Sequence, residues 1–248
     1  MIPGAMFASV VHPVAAAGSS WAHASSIRFN DGGATDEYAV GGQPANIVGI
    51  NHTTTARTYS CWCRINSAGA DVTFFAVAEQ TNRPIQIYAV SGLHTVYLGT
   101  NQMQYGTAMT SGSWYHLCVT NSSAGSATLY VNSTSRATVT AGSTATALDI
   151  MFGARRNSSN TGSAWLGPCN VAQFSVYSVA FSAAEVTADY NSGVPIDPST
   201  HSQAANLIRT WWCGDGDTYP TMTEQVGGST ANCTMTNMES ADVEAVSP

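Results

Sequence analysis

The 248-residue sequence contains no lysine, and Asp, Glu and Arg together make up only 9% of it. Eight Arg stand against fifteen acidic residues, a net charge of -7 with no basic run, so the electrostatic attraction that nucleic-acid binding requires is missing. Long apolar runs are absent too, and no stretch approaches the ~20 residues of a membrane-spanning helix. The six cysteines (Cys61, Cys63, Cys118, Cys169, Cys213, Cys233) form no CxxC pair and no zinc-finger spacing with histidine. Cys61 and Cys63, two apart in a strand-like run, share one face and suit the role of small buried hydrophobes. Free thiols are the expectation, with disulfides left open as the alternative.

What is abundant is Ser, Thr and Gly, a composition that favours pleated strands and tight turns over surface helices. Period-two alternation recurs: Ile27 and Phe29; Tyr59, Cys61, Cys63 and Ile65; Ile85, Ile87 and Ala89; Val96 and Leu98. It continues through Tyr115, Leu117 and Val119; Leu129 and Val131; Leu148, Ile150 and Phe152; and Ala172, Phe174 and Val176. Turn clusters at 121–125 and 157–162 separate the runs, and the whole predicts an all-β, two-sheet antiparallel sandwich. Asp71 to Glu79 is apolar on both faces and reads as a central strand covered on each side.

One short helix is predicted near residues 182–191. Ser182 as N-cap and Glu185 three residues on form a capping box, Phe181 and Val186 are placed as a hydrophobic staple, and Gly193 with Pro195 is the predicted stop. The chain divides into an apolar amino-terminal arm (1–25), the sandwich (26–213) and an acidic carboxyl extension (214–248). The last holds Asp215, Asp217, Glu224, Glu239, Asp242 and Glu244 and no Arg. Its Thr-Met-Thr at 221 and again at 234 is either a pair of hairpin edges or composition bias. In the arm, Ala22-His23-Ala24 mimics a signal-peptide cleavage site, but a positive leading region is missing and Pro13 interrupts the apolar stretch.

Several stretches, taken in order, resemble the laminin G-like, concanavalin A-like jelly-roll family. They are Ser26-Ile-Arg-Phe-Asn30, Asp36 to Val40, Tyr59 to Arg64 around Trp62, and Trp114-Tyr-His-Leu-Cys-Val-Thr120. Leu129-Tyr-Val-Asn132 follows, with Ser133 where the family's turn usually has Gly, and then Phe174 to Glu185. The resemblance covers roughly residues 26–193 and implies a jelly roll. Where the family commonly carries an Asp-Glu pair before its last long strand, this chain has Ala172-Gln173, and the alternating carboxylates of jelly-roll glucanases have no counterpart. Asp36 and Glu37 are adjacent and face opposite ways on a strand, which does not suit paired catalysis. The carboxyl end, from Trp212-Cys-Gly-Asp-Gly-Asp-Thr-Tyr-Pro-Thr221 to Val246 and Pro248, is similar to the ends of laminin G-like proteins carried by tailed bacteriophages.

Three chemical readings compete with structural ones. Asp215 and Asp217 are spaced like the opening of a calcium loop, but Tyr219, Pro220 and Val226 break the continuation, so a plain turn is expected. Trp21, Trp114, Trp165, Trp211 and Trp212 could stack on sugar rings, but burial is the expectation. His116 has no nucleophile motif around it and reads as a core histidine. Five N-x-S/T sequons, at 51, 121, 132, 157 and 232, are what so Ser/Thr-rich a composition produces.

These readings lead to a non-enzymatic structural protein of a phage virion, a capsid decoration or other particle-surface component, with no cofactor and no catalytic residue. Its expected partners are other virion proteins, capsid or further copies of itself, in a homo-oligomer on the particle. The contacts would be made by Met1, Ile2, Met6, Phe7, Val10, Val11 and Trp21 of the arm. The alternative is a carbohydrate-binding module of a tail fibre or host-recognition appendage, with a host glycan as partner.

Overall fold

The computed structural model describes residues 23–30, 36–79, 82–143, 148–157, 163–164, 166–227 and 231–248. The seven arm residues proposed as partner contacts lie outside them, as does Trp165. The strands run in the order β1 (Ser26–Phe29), β2 (Tyr38–Gly41), β3 (Arg57–Ile65), β4 (Val72–Val77), β5 (Ile85–Val90), β6 (Leu93–Leu98), β7 (Asn101–Ala108), β8 (Tyr115–Asn121) and β9 (Ser126–Val131). There follow β10 (Thr134–Thr140), β11 (Met151–Phe152), β12 (Arg155–Arg156), β13 (Ser163–Ala164), β14 (Cys169–Tyr177), β15 (Leu207–Trp211), β16 (Thr221–Met222), β17 (Cys233–Thr236) and β18 (Val243–Glu244).

They build a two-sheet antiparallel jelly-roll sandwich, as the alternation predicts. The first sheet has the order β10-β9-β8-β3-β14-β1-β18, with β15 also paired to β14; the second runs β16-β17-β2-β11-β4-β5-β6-β7. β12 and β13 form a small separate pair. Between the sheets, Phe75 and Phe152 of the second meet Phe174 and Trp211 of the first. The Phe75 and Phe174 rings stack at 3.9 Å, and Trp211 donates its indole N–H to the Ala231 carbonyl at 3.0 Å. Interleaved aromatics of this size add a large share of buried apolar area to the mainly aliphatic core between the sheets. All six cysteines are buried and carry free thiols.

Two β-bulges alter the predicted phase. In β14 the register slips between Val171 and Gln173, so Cys169, Val171, Phe174 and Val176 enter the core and Ala172 does not alternate with Phe174 as expected. In β4 a slip between Thr73 and Phe75 lets both Phe74 and Phe75 join the core, which is why this strand reads as apolar throughout. Ala172 and Gln173 thus lie within the last long strand rather than before it.

The helix α1 (Ala183–Tyr190) has the predicted capping box: the Ser182 hydroxyl accepts the Glu185 N–H, and the Glu185 carboxylate accepts the Ser182 N–H at 2.7 Å. Phe181 and Val186 are buried together as the staple requires. The stop differs from the expectation. Asn191 adopts the left-handed conformation (φ 45°) directly after Tyr190 and ends the helix two residues before Gly193.

Residues 214–248, read as an extension, contribute strands to both sheets. Thr221 pairs with Thr234 and Met222 with Cys233, so the two Thr-Met-Thr runs are the edges of a hairpin, and this hairpin docks on β2. β18 pairs with β1 in the other sheet. Glu224 is fully buried beside Arg209 (3.2 Å) and accepts N–H bonds from Thr210 and Val226, tying this segment to β15.

Candidate functional site

Each sheet has one face in the core and one turned away from it, and the two outer faces differ in chemistry. On the first sheet, strand register aligns Ser60 with Cys118 and Ser175, and Trp62 with His116 and Gln173. Helix α1 and the turns after it lie over this face. Asp189 on the helix brings its Oδ2 to within 2.6 Å of the Ser60 hydroxyl, which donates to it, and to 3.0 Å from His116 Nε2. His116 Nε2 is also 2.9 Å from the Ser60 oxygen. Trp62 and Tyr190 stack 5.8 Å apart over the histidine.

Serine, histidine and aspartate thus come together although no motif marks them, yet the arrangement does not activate the serine. In a nucleophilic triad the imidazole uses one nitrogen for the serine and the other for the carboxylate; here Nε2 meets both and Nδ1 has no partner. All three side chains are buried. Burial raises the Asp189 pKa, but the hydrogen bond and charge of His116 and the Ser60 hydroxyl outweigh it and hold the carboxyl below its ordinary value. The cluster is a clasp that fastens the helix to the sheet, and His116 is buried in a structural role, as expected, but beneath the helix rather than in the core between the sheets.

The outer face of the second sheet is built by β4 to β7. Register sets Thr73, Tyr88, Thr95 and Gln104 in one row and Gln86, Tyr97 and Gln102 in the next, while Ile87, Val96 and Met103 turn into the core. Tyr88 and Tyr97 stack with ring centres 5.7 Å apart and planes 12° from parallel. The Gln102 amide donates to the Tyr88 hydroxyl at 3.1 Å, and Gln104 and Gln86 donate to the hydroxyls of Thr95 and Thr73, each at 3.1 Å. The Gln86 carbonyl oxygen is buried without a hydrogen-bond partner. Arg83 lies over the Tyr97 ring, its guanidinium carbon 4.2 Å from the centre.

Thr73, Gln86, Tyr88 and Thr95 are buried, so what this face offers is the half-buried Tyr97 beside the exposed amides of Gln102 and Gln104, which both donate and accept, the chemistry that meets a polyhydroxylated ring. No Asp or Glu occurs in β4 to β7, so the strands bring no carboxylate pair to it. The sequence analysis passed over these residues because it weighed tryptophans and carboxylates. The signal was there in the outward positions of Ile-Gln-Ile-Tyr88, Thr-Val-Tyr97 and Gln-Met-Gln104, all amide, hydroxyl or tyrosine.

The other candidates have structural partners. Asp215 Oδ2 accepts the Ala24 N–H at 2.9 Å and lies 2.8 Å from His23 Nδ1. Asp217 uses one oxygen for the Gly214 N–H and the other for the Thr223 N–H. Both act as turn carboxylates, and no cluster of three or more His, Cys, Asp or Glu suited to a metal occurs among the described residues. Asp36 and Glu37 stand at the entry to β2; Glu37 is buried, and its N–H donates to Asn30. Trp62 and Trp211 are buried, Trp114 lies beneath the Arg64 guanidinium (5.2 Å), and Trp212 is half-buried.

No curated protein sequence matches the chain. Among solved structures, a Bacteroides ovatus protein provisionally described as carbohydrate binding shares the fold at 15% identity and a TM-score of 0.62, with 87% of this chain and 58% of that one covered. The binding domain of Paraclostridial Mosquitocidal Protein 1 aligns at 16% identity and a TM-score of 0.51, over 67% of this chain and 43% of the other. A botulinum neurotoxin type C structure, whose cell entry depends on two ganglioside molecules, aligns at 17% and 0.50 over 67% and 42%. The chain thus spans about half the length of these structures, and at such identities the likeness speaks for the fold. A family model described as the concanavalin A-like lectin/glucanases superfamily matches residues 27–187, and the chain belongs to that superfamily.

Proposed function

We propose that the protein is a non-catalytic glycan-binding module whose site is the outer face of β5 to β7. The observation that carries this reading is the half-buried Tyr97, backed by the buried Tyr88 and flanked by the exposed amides of Gln102 and Gln104. Sugar rings present C–H faces to aromatic planes and hydroxyls to amides, and a sheet holds both in fixed positions at little entropic cost. Relatives in fold that are described as carbohydrate binding or ganglioside dependent support the same reading. The virion placement rests on the sequence, on the likeness of residues 212–248, the acidic tail and the apolar arm, and the arm's anchor residues fall outside the described ones. Attachment of such a module to a phage appendage would give the glycan reading a context without changing its chemistry.

The test is a glycan array followed by calorimetric titration of the full chain. Tyr97→Ala and Gln102→Ala are expected to weaken binding roughly tenfold or more, the loss of a stacking face or a paired amide, with the melting temperature nearly unchanged. A glycan bound equally well by both variants would overturn this assignment of the site.

A further inference from the structure

From Gln102 onward every second residue of β7 is exposed: Gln102, Gln104, Gly106 and Ala108. The two amides are held in fixed orientations. The Thr95 hydroxyl spends its only proton on the Leu93 carbonyl (2.8 Å), so towards Gln104 it can only accept, and the Gln104 Nε2 donates to it at 3.1 Å. This leaves the Gln104 Oε1 and one of its N–H groups without a partner among the described residues. Gln102 donates to the Tyr88 hydroxyl at 3.1 Å and accepts from the Tyr97 hydroxyl at 3.4 Å. Gly106 stands apart from both. Its φ lies outside the left-handed region, and a Cβ built there would meet no atom within 4 Å, so neither conformation nor crowding asks for glycine. The strand around it is nonetheless fixed. The register slips opposite Leu93 and Thr95, His94 Nδ1 donates to the Thr107 carbonyl at 3.2 Å, and the Met109 N–H bonds to the Gly92 carbonyl at 2.8 Å.

We infer that the ligand is a linear glycan laid lengthwise along β7, its successive sugar residues bonded to Gln102 and Gln104 and seated over Gly106, and not a single terminal sugar. Gln102 to Gly106 spans on the order of 10 Å of strand, more than one sugar ring covers. The Gln104 carboxamide sets one acceptor and one donor side by side, which matches two neighbouring hydroxyls of a sugar, one donating and the other accepting. β7 is the last strand of its sheet and carries no charged residue, so no further strand of that sheet closes off the ligand, and hydroxyls are the groups suited to meet it. Glycine at 106 forgoes the stability that a β-branched residue would add to the strand, and a sugar ring can approach the bare backbone closely there.

Lengthwise binding rests on the glycan-binding reading, and the experiment separates the two. The protein is titrated with cello-, laminari-, manno- and chito-oligosaccharides of increasing length, from the monosaccharide to the hexasaccharide, alongside a glycan array of linear and branched structures. Affinity for at least one series is expected to rise roughly tenfold or more with length and then to level off once the added units have passed Gly106. Gly106→Val, which the open space accommodates and whose fold is checked by its melting curve, is expected to remove that gain, and Gln104→Ala to weaken the longer oligomers roughly tenfold. Should Gly106→Val not fold, the length series and Gln104→Ala decide the matter. Equal affinity for the shortest and longest oligomers, or array binding that follows a shared terminal sugar, with either one lost in Gln102→Ala, overturns the lengthwise ligand and leaves the glycan reading standing. A length gain that survives both Gly106→Val and Gln104→Ala does the same. Failure of every oligomer and of the array overturns both.

Discussion

The two outer faces of this sandwich both belong to antiparallel sheets but are used differently. The first sheet's outer face is roofed by α1, and its polar groups, Ser60, His116 and Asp189, satisfy one another. The second sheet's has exposed Gln102 and Gln104 and a half-buried Tyr97, with hydrogen bonds running along the surface. A buried polar network contributes stability through the bonds its members make to one another, whereas an exposed one keeps its capacity for an incoming partner. The faces differ in residue type and in cover, since a helix lies over the first.

Asp189→Ala is the strongest way to break this contrast. It leaves Ser60 and His116 buried without their shared acceptor and is expected to cost about 3 to 5 kcal/mol in a denaturant melt, with exchange protection lost first over α1. A cost below about 1 kcal/mol would mean that the clasp does not hold the roof.

Acid titration comes next. His52, 2.8 Å from the Tyr59 hydroxyl beneath the first sheet, and His94 on β6 of the second each have their pKa lowered by burial to about 4. The unfolded chain binds these protons near pH 6.5, so stability is fully present above that value and falls as pH drops towards 4, by up to roughly 3 kcal/mol per histidine. Asp189, held below its ordinary value, adds a further loss only below about pH 4. Chemical denaturation between pH 7 and 3 checks both, and His52→Gln should flatten the upper part of the curve.

Tyr97→Ala tests the other side of the contrast, because a half-exposed side chain on a solvent-facing strand should change stability by about 1 kcal/mol or less while glycan binding is lost. The smallest expected effect lies in the β9–β10 turn. Asn132 and Ser133 have φ of 48° and 61°, the pair of left-handed residues that a tight hairpin needs, and Ser133 adopts it without glycine's freedom. Ser133→Gly should raise stability by about 0.5 to 1 kcal/mol in a thermal melt, against no change at exposed Ser135.

The sandwich was legible because alternation is local: Tyr59, Cys61, Cys63 and Ile65 all point inward as read. Ala172 was misplaced because a bulge adds a residue without any mark in the sequence. The helix start was legible since a capping box spans four residues, whereas Asn191 as its end competed with a nearby glycine. The clasp was illegible: its members lie 56 to 129 residues apart, and only the closed fold brings them together. The tyrosine face was half legible, since its polar alternation is local but the stacking of Tyr97 on Tyr88 depends on the register between β5 and β6.

The pairing of β18 with β1 has a consequence for how the chain is made. Arg28 bonds to Glu244 across 216 residues, and β1 lies between β14 and β18. During synthesis the first strand emerges with neither neighbour available, gains one only after Cys169–Tyr177, and waits for the second until Val243–Glu244. Contacts of such separation close slowly, so the first sheet reaches its full width only after Val243–Glu244 has been made. A chain shortened by its final ten residues would have the whole core encoded and still leave one edge of that sheet open.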